Sequence, residues 1–145
     1  MKTLIINILA IVPVLGWGQT FEKTVDFNID LSSLSSAEVV REVVNDGRVI
    51  IIEGLLRDIT VEETNEETIL WITLIGGEWI GTSEVRAYTC RVQVRGDQEA
   101  FTGIAQESPG HIVPGNRMLV AARVMGINTE DQVAELEMVD YRVFE

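Results

Sequence analysis

Val49-Ile50-Ile51-Ile52-Glu53-Gly54-Leu55-Leu56-Arg57-Asp58-Ile59 is the stretch on which the reading of this 145-residue chain turns. It is dense in β-branched residues, which suit a pleated surface, and it carries one glycine in its interior, where a long strand bends or bulges. Gly47 lies just ahead of it, free to take the left-handed conformation that ends a helix at low cost. The residues before that glycine read as a helix. Ser35 and Ser36 precede Ala37-Glu38-Val39-Val40-Arg41-Glu42-Val43-Val44, whose valines at i, i+1, i+4 and i+5 form one apolar face.

Downstream, β-rich runs alternate with polar turns. The acidic segment Val61 to Glu67 leads into a second strand, Thr68 to Ile75, which Gly76-Gly77 is expected to close. A third strand covers about Glu84 to Arg95, with Tyr88, Cys90, Val92 and Val94 on one face and Thr89, Arg91, Gln93 and Arg95 on the other. Asp97 is placed to cap a short helix carrying Ala100, Phe101, Ile104 and Ala105, stopped by Ser108-Pro109-Gly110. Val113-Pro114-Gly115-Asn116 has turn chemistry: proline fixes the first corner and glycine tolerates positive φ at the second. Met118 to Met125 is the fourth strand, Asn128-Thr129-Glu130-Asp131 a loop, and Val133 to Phe144 the fifth.

The fold class predicted is mainly β: a five-stranded barrel with a short helix between strands three and four. It resembles the OB-fold, and more narrowly the small exported bacterial OB-fold proteins of the tRNA-anticodon-domain-like group. Gly47 to Gly54, Tyr88-Thr89-Cys90-Arg91-Val92 and Ile112 to Val120 carry the resemblance, which spans residues 36–144. It implies a ligand face on strands two and three, flanked by the first-to-second and fourth-to-fifth loops.

At the N-terminus, residues 1–18 read as an export signal. Lys2 gives a positive start, Leu4 to Leu15 a short apolar core, and Gly16-Trp17-Gly18 small residues for cleavage before Gln19. The segment is too short to span a bilayer, so no membrane insertion is expected after cleavage, and the predicted location is periplasmic or extracellular. Residues 19–35 form an extended arm, because Phe21, Lys23, Val25, Phe27, Ile29 and Leu31 alternate with the period of a strand. Residues 36–145 make up the OB-fold-like domain.

Charge narrows the partners. Cleavage after Gly18 leaves 127 residues with 10 basic and 23 acidic side chains, a formal charge of −13. Such a surface repels phosphate backbones and anionic membranes, so nucleic acid is an unlikely ligand on this reading and another envelope protein the expected partner. Glu62, Glu63, Glu66 and Glu67 on one loop, with Glu130 and Asp131 on the other, sharpen that expectation. The acidic loops lack the alternating acids and central glycine of a calcium loop and read as solvated.

Trp71 sits inside an apolar run and is assigned to the core, whereas Trp79, in a glycine-rich hairpin, is the aromatic expected to be exposed. Trp79 with Arg91, Gln93 and Arg95 forms the candidate ligand site; the two arginines alternatively pair with facing glutamates. Phe21, Val25 and Phe27 on the arm form the candidate partner edge, since an unpaired strand readily adds to another chain. No cofactor or metal is expected. The lone cysteine excludes an internal disulfide, and Cys90 reads as a core residue. Its only conceivable catalytic mate is His111, in a turn without a visible partner, so the chain reads as a non-enzymatic binding module. The alternative function is oligonucleotide or oligosaccharide binding on the face of strands two and three.

Overall fold

The computed structural model describes residues 25–96, 98–102 and 111–144. Six strands occur among them: β1 (Val25–Asp26), β2 (Val49–Glu63), β3 (Thr68–Ile80), β4 (Glu84–Val94), β5 (Arg117–Ile127) and β6 (Ala134–Phe144). Two α-helices accompany them, α1 (Ala37–Asp46) and the short α2 (Glu99–Thr102), with a 3-10 turn at Ser33–Ser35. Strand order runs β1-β2-β3-β4-β6-β5, and β5 returns to pair with β2. That closure makes a five-stranded barrel in which only β4 and β6 run parallel. This is the OB-fold topology, with α2 lying in the connection between the third and fourth barrel strands.

Alternation along each strand fills the interior. Ile50, Ile52 and Leu56 of β2, Leu70, Ile72 and Leu74 of β3, and Cys90, Val92 and Val94 of β4 are buried, together with Met118, Val120, Ala122 and Leu136 from β5 and β6. β2 is long enough to serve two neighbours: residues 49–55 pair with β5, and from Leu55 onward the strand pairs with β3. A register shift between Leu56 and Asp58 marks the bend, just past the interior glycine.

The helix before β2 ends as its chemistry requires. Ser36 Oγ accepts the Val39 N–H, and Gly47 at φ 61° donates its N–H to the carbonyls of Val43 and Val44. Val40 and Val43 enter the core, and α1 lies against β5. Phe101 of α2 is buried, its ring 5.3 Å from that of Tyr141. Asp97, the expected cap, and residues 103–110, which include Ile104, Ala105 and the stop signal, lie outside the described residues. Gln98 holds the helix entry instead, donating to the carbonyls of Val94 (2.9 Å) and Thr68 (3.3 Å).

Three expectations are corrected. Gly76 and Gly77 do not end β3, which continues to Ile80; the turn falls at Gly81, φ 67°. The two glycines answer a packing demand: a β-carbon on Gly76 would lie 3.0 Å from Leu31 Cδ1, and one on Gly77 3.3 Å from Val85 Cγ1. Trp71 is not core. Its neighbours Leu70 and Ile72 point inward, so alternation turns the indole out.

The third correction concerns the arm, which is not an extended strand throughout. Val25 and Asp26 pair parallel with Val49 and Ile50, on the part of β2 that β3 does not reach. An ion pair from Arg48 Nη1 to Asp26 Oδ2, 2.9 Å, ties the segment down. The chain then turns at Asp30, whose carboxylate accepts from Ser32 Oγ, Ser33 N and Ser33 Oγ at 2.7–2.8 Å, and buries Leu31 and Leu34. Phe21 and the export signal lie outside the described residues.

Candidate functional site

β3 and β4 form a continuous antiparallel ladder from Leu70–Val94 to Ile80–Glu84. Because their even-numbered residues fill the barrel, Ile69, Trp71, Thr73, Ile75 and, across from them, Thr89, Arg91 and Gln93 share the outer face. Neighbouring strands extend the face into transverse rows. One runs Asp58–Thr73–Arg91–Glu135, the next Thr60–Trp71–Gln93–Glu137.

Arg91, Arg95, Gln93 and Trp71 on this face have defined partners. Arg91 Nη2 donates to Glu135 Oε1 at 2.9 Å and lies 3.1 Å from Asp131 Oδ2, while its Nε is buried without a partner among the described residues. Asn128 Nδ2 steadies the same Glu135 oxygen at 3.1 Å. Arg95 sits between Glu67 (3.6 Å) and Glu137 (3.7 Å) and contacts Gln93 Oε1. Gln93 is 5% exposed, a polar side chain sunk into the face. Trp71 donates its indole N–H to Glu62 Oε2 at 2.9 Å.

Farther along the ladder the face becomes apolar. Leu55, Ile75, Val85 and Ala87 line a groove of about 560 Å³ with Gly77, bounded by Glu53 and Arg117. Trp79 stands beyond it opposite Val85, 70% exposed. It shares the strand and face of Trp71, eight residues on, or ~27 Å at ~3.4 Å per residue.

Of the residues expected to form the site, Arg91, Gln93 and Arg95 adjoin one another, and Trp79 stands apart at the hairpin end. Trp71, missed in the sequence because apolar neighbours on both sides resemble a core run, takes the place opposite Gln93. On the arm, Val25 is half-buried in its pairing with β2 and Phe27 is 66% exposed. Cys90 is fully buried, and desolvation pushes its thiol up to about 12, so it offers His111 no nucleophile. No cluster of His, Cys, Asp or Glu suited to a metal ion occurs among the described residues. Nor is any described helix long and apolar enough to cross a membrane.

No family model matches the chain, and no curated protein does. Solved structures do. A small single-stranded DNA-binding protein from Streptomyces coelicolor is 12% identical with a TM-score of 0.48, the match covering 66% of this chain and 91% of that one. The mitochondrial single-stranded DNA-binding protein Rim1 of S. cerevisiae is 14% identical (TM-score 0.47; 67% and 93% covered). The single-stranded DNA-binding protein of Thermus aquaticus is 18% identical (TM-score 0.45; 67% and 49% covered).

These findings correct two expectations, the envelope-protein partner and the exclusion of nucleic acid. The charge argument behind the exclusion summed over the whole chain. Locally, three of the loop carboxylates counted against phosphates are already engaged: Glu62 by Trp71, Glu67 by Arg95 and Asp131 by Arg91.

Proposed function

We propose that this chain is a non-catalytic protein that binds single-stranded nucleic acid along the outer face of β3 and β4. The observation that carries the reading is the projection of Trp71 and Trp79 from one face of one strand, on the side of the barrel where OB-folds take oligomeric ligands. Unpaired bases stack on such aromatics irrespective of sequence, at about 1–3 kcal/mol per base. Single-stranded DNA, the ligand named for the solved structures above, is the natural first probe.

Phosphate neutralisation contributes little in this design. Arg91 and Arg95 face carboxylates already, so at most about one or two counterions are released, and the slope of log K against log salt should be no steeper than about −0.7 per phosphate engaged. Titrating tryptophan fluorescence with a dT oligomer at rising salt tests this. Quenching that persists at high salt is expected; absence of quenching at any salt overturns the reading.

A second reading, oligosaccharide binding on the same face, is favoured by the carboxylate of Glu62 against Trp71 and that of Glu137 on the far side of Gln93, since a neutral sugar meets no repulsion from them. Quenching by neutral oligosaccharides and not by DNA would select it. We further propose that the chain is exported and loses residues 1–18, as the small exported OB-fold group would require. Amino-terminal sequencing of the protein recovered from the envelope or culture fluid should then begin at Gln19.

A further inference from the structure

We infer that the groove between Leu55 and Val85 is a seat for one unpaired base and that the Glu53–Arg117 pair at its rim selects cytosine. The inference rests on the nucleic-acid reading and adds base preference to it. Gly77 and Ala87 form a floor of minimal side chains, Leu55 and Val85 stand 47% and 53% exposed as walls, and the groove's volume of about 560 Å³ falls within the range of small-molecule sites. A flat ring is the shape such a floor admits, and Trp79 at the end of the groove offers a stacking surface for the neighbouring base.

The rim supplies hydrogen-bonding groups in a fixed order. Arg117 and Glu53 are diagonal neighbours on the outer face of β5 and β2. Nε and Nη2 of Arg117 both contact Oε1 of Glu53, which leaves Oε2 of the carboxylate and Nη1 of the guanidinium without partners among the described residues. Phe144 backs the guanidinium, its ring centroid 5.4 Å from Cζ, and so limits how the fork can turn. The pair presents one acceptor beside several donors.

Cytosine carries the complementary edge, a single amino donor at N4 followed by acceptors at N3 and O2. The other bases match it less well. Thymine places its donor between two acceptors, guanine carries two donors beside one acceptor, and adenine offers one acceptor fewer. Carboxylates accept from cytosine N4, and a bidentate edge contact is worth enough to discriminate about tenfold between bases.

The test uses the full chain, dC and dT oligomers of equal length and tryptophan quenching as the readout. The dC oligomer should bind about tenfold more tightly than dT, and in Glu53→Ala and Arg117→Ala, both at exposed positions, the dC to dT affinity ratio should fall to about one. Circular dichroism checks that each variant folds. Equal binding of the two oligomers by the wild type, or a preference that survives both substitutions, overturns the base seat while leaving the nucleic-acid reading standing. Failure of every oligomer to bind overturns both.

Discussion

Gly54 and Leu74 face each other inside the barrel with no space for a methyl group between them: a β-carbon on Gly54 would lie 3.2 Å from Leu74 Cβ. The same atom would stand 3.1 Å from Leu31 Cδ1 and 3.3 Å from the Ile75 carbonyl oxygen. Two of these neighbours belong to the β3 framework and cannot swing aside. Gly54→Ala should therefore cost about 1–3 kcal/mol by overpacking, less the few tenths regained from a stiffer unfolded chain. Urea unfolding of the variant gives the figure directly.

Leu31 comes from the segment before α1 yet is 5% exposed. Leu31→Ala should cost about 2–5 kcal/mol, the range for a buried leucine. A loss below about 0.5 kcal/mol would mean that the segment rests on a barrel complete without it.

Trp71→Ala separates stability from binding. The indole is half-buried and held by one hydrogen bond to Glu62, so the variant should lose only about 1 kcal/mol on unfolding, well short of the ~3–5 kcal/mol typical of a core aromatic. Its affinity for a dT oligomer should drop by the worth of one stacked base, about 1–3 kcal/mol. Paired denaturation and fluorescence titrations read both numbers from one protein.

Burial raises the Cys90 thiol from its ordinary 9.0 to about 12. The unfolded chain thus releases this proton at lower pH than the native one, and native stability should decline as pH rises from about 9 toward 12. Cys90→Ala should flatten that decline. In the native protein at pH 8 a thiol reagent should react only on denaturation.

Asp30 shows the opposite linkage. The Ser32 hydroxyl, followed by the Ser33 backbone N–H, holds its carboxyl below the ordinary 3.8, so the stabilisation is present above that value and disappears as pH falls through the native one. Asp30→Ala should weaken the turn that delivers Leu31 and Leu34, by about 1 kcal/mol at neutral pH, and should reduce the acid sensitivity of unfolding. Urea midpoints of the two proteins compared between pH 3 and 7 test the sign.

Much of this architecture was legible in the residues. The alternation from Tyr88 to Arg95 gave both faces of β4, because a period of two has one solution when one face is buried. Ser36 and Gly47 marked the ends of α1 through chemistry confined to a few neighbouring residues. Gly76-Gly77 was misread since glycine serves tight turns and close packing alike, and the partner that decides between them, Leu31, comes from a distant part of the chain. Trp71 was misplaced for a similar reason: a strand in which nearly every residue is apolar does not reveal which parity faces inward until its partner is known. Likewise, the groove at Gly77 and Ala87 arises only when β2, β3 and β4 are side by side, and no spacing along the chain announces it.

The β3–β4 ladder also differs from the other seams of the barrel in what its closure costs. Its two strands are joined by a turn of a few residues, so it closes at small entropic cost, whereas the β2–β5 seam joins Val49 to Arg123 across most of the described chain. Contacts near in sequence cost less loop-closure entropy than remote ones. Closure is therefore least costly for the face bearing both tryptophans, costlier for the parallel β4–β6 joint that brings Glu135 and Glu137 beside the arginines, and costliest for the β2–β5 seam. Setting out the two tryptophans thus asks little of chain entropy, and surrounding Arg91 and Arg95 with the carboxylates of β6 asks more.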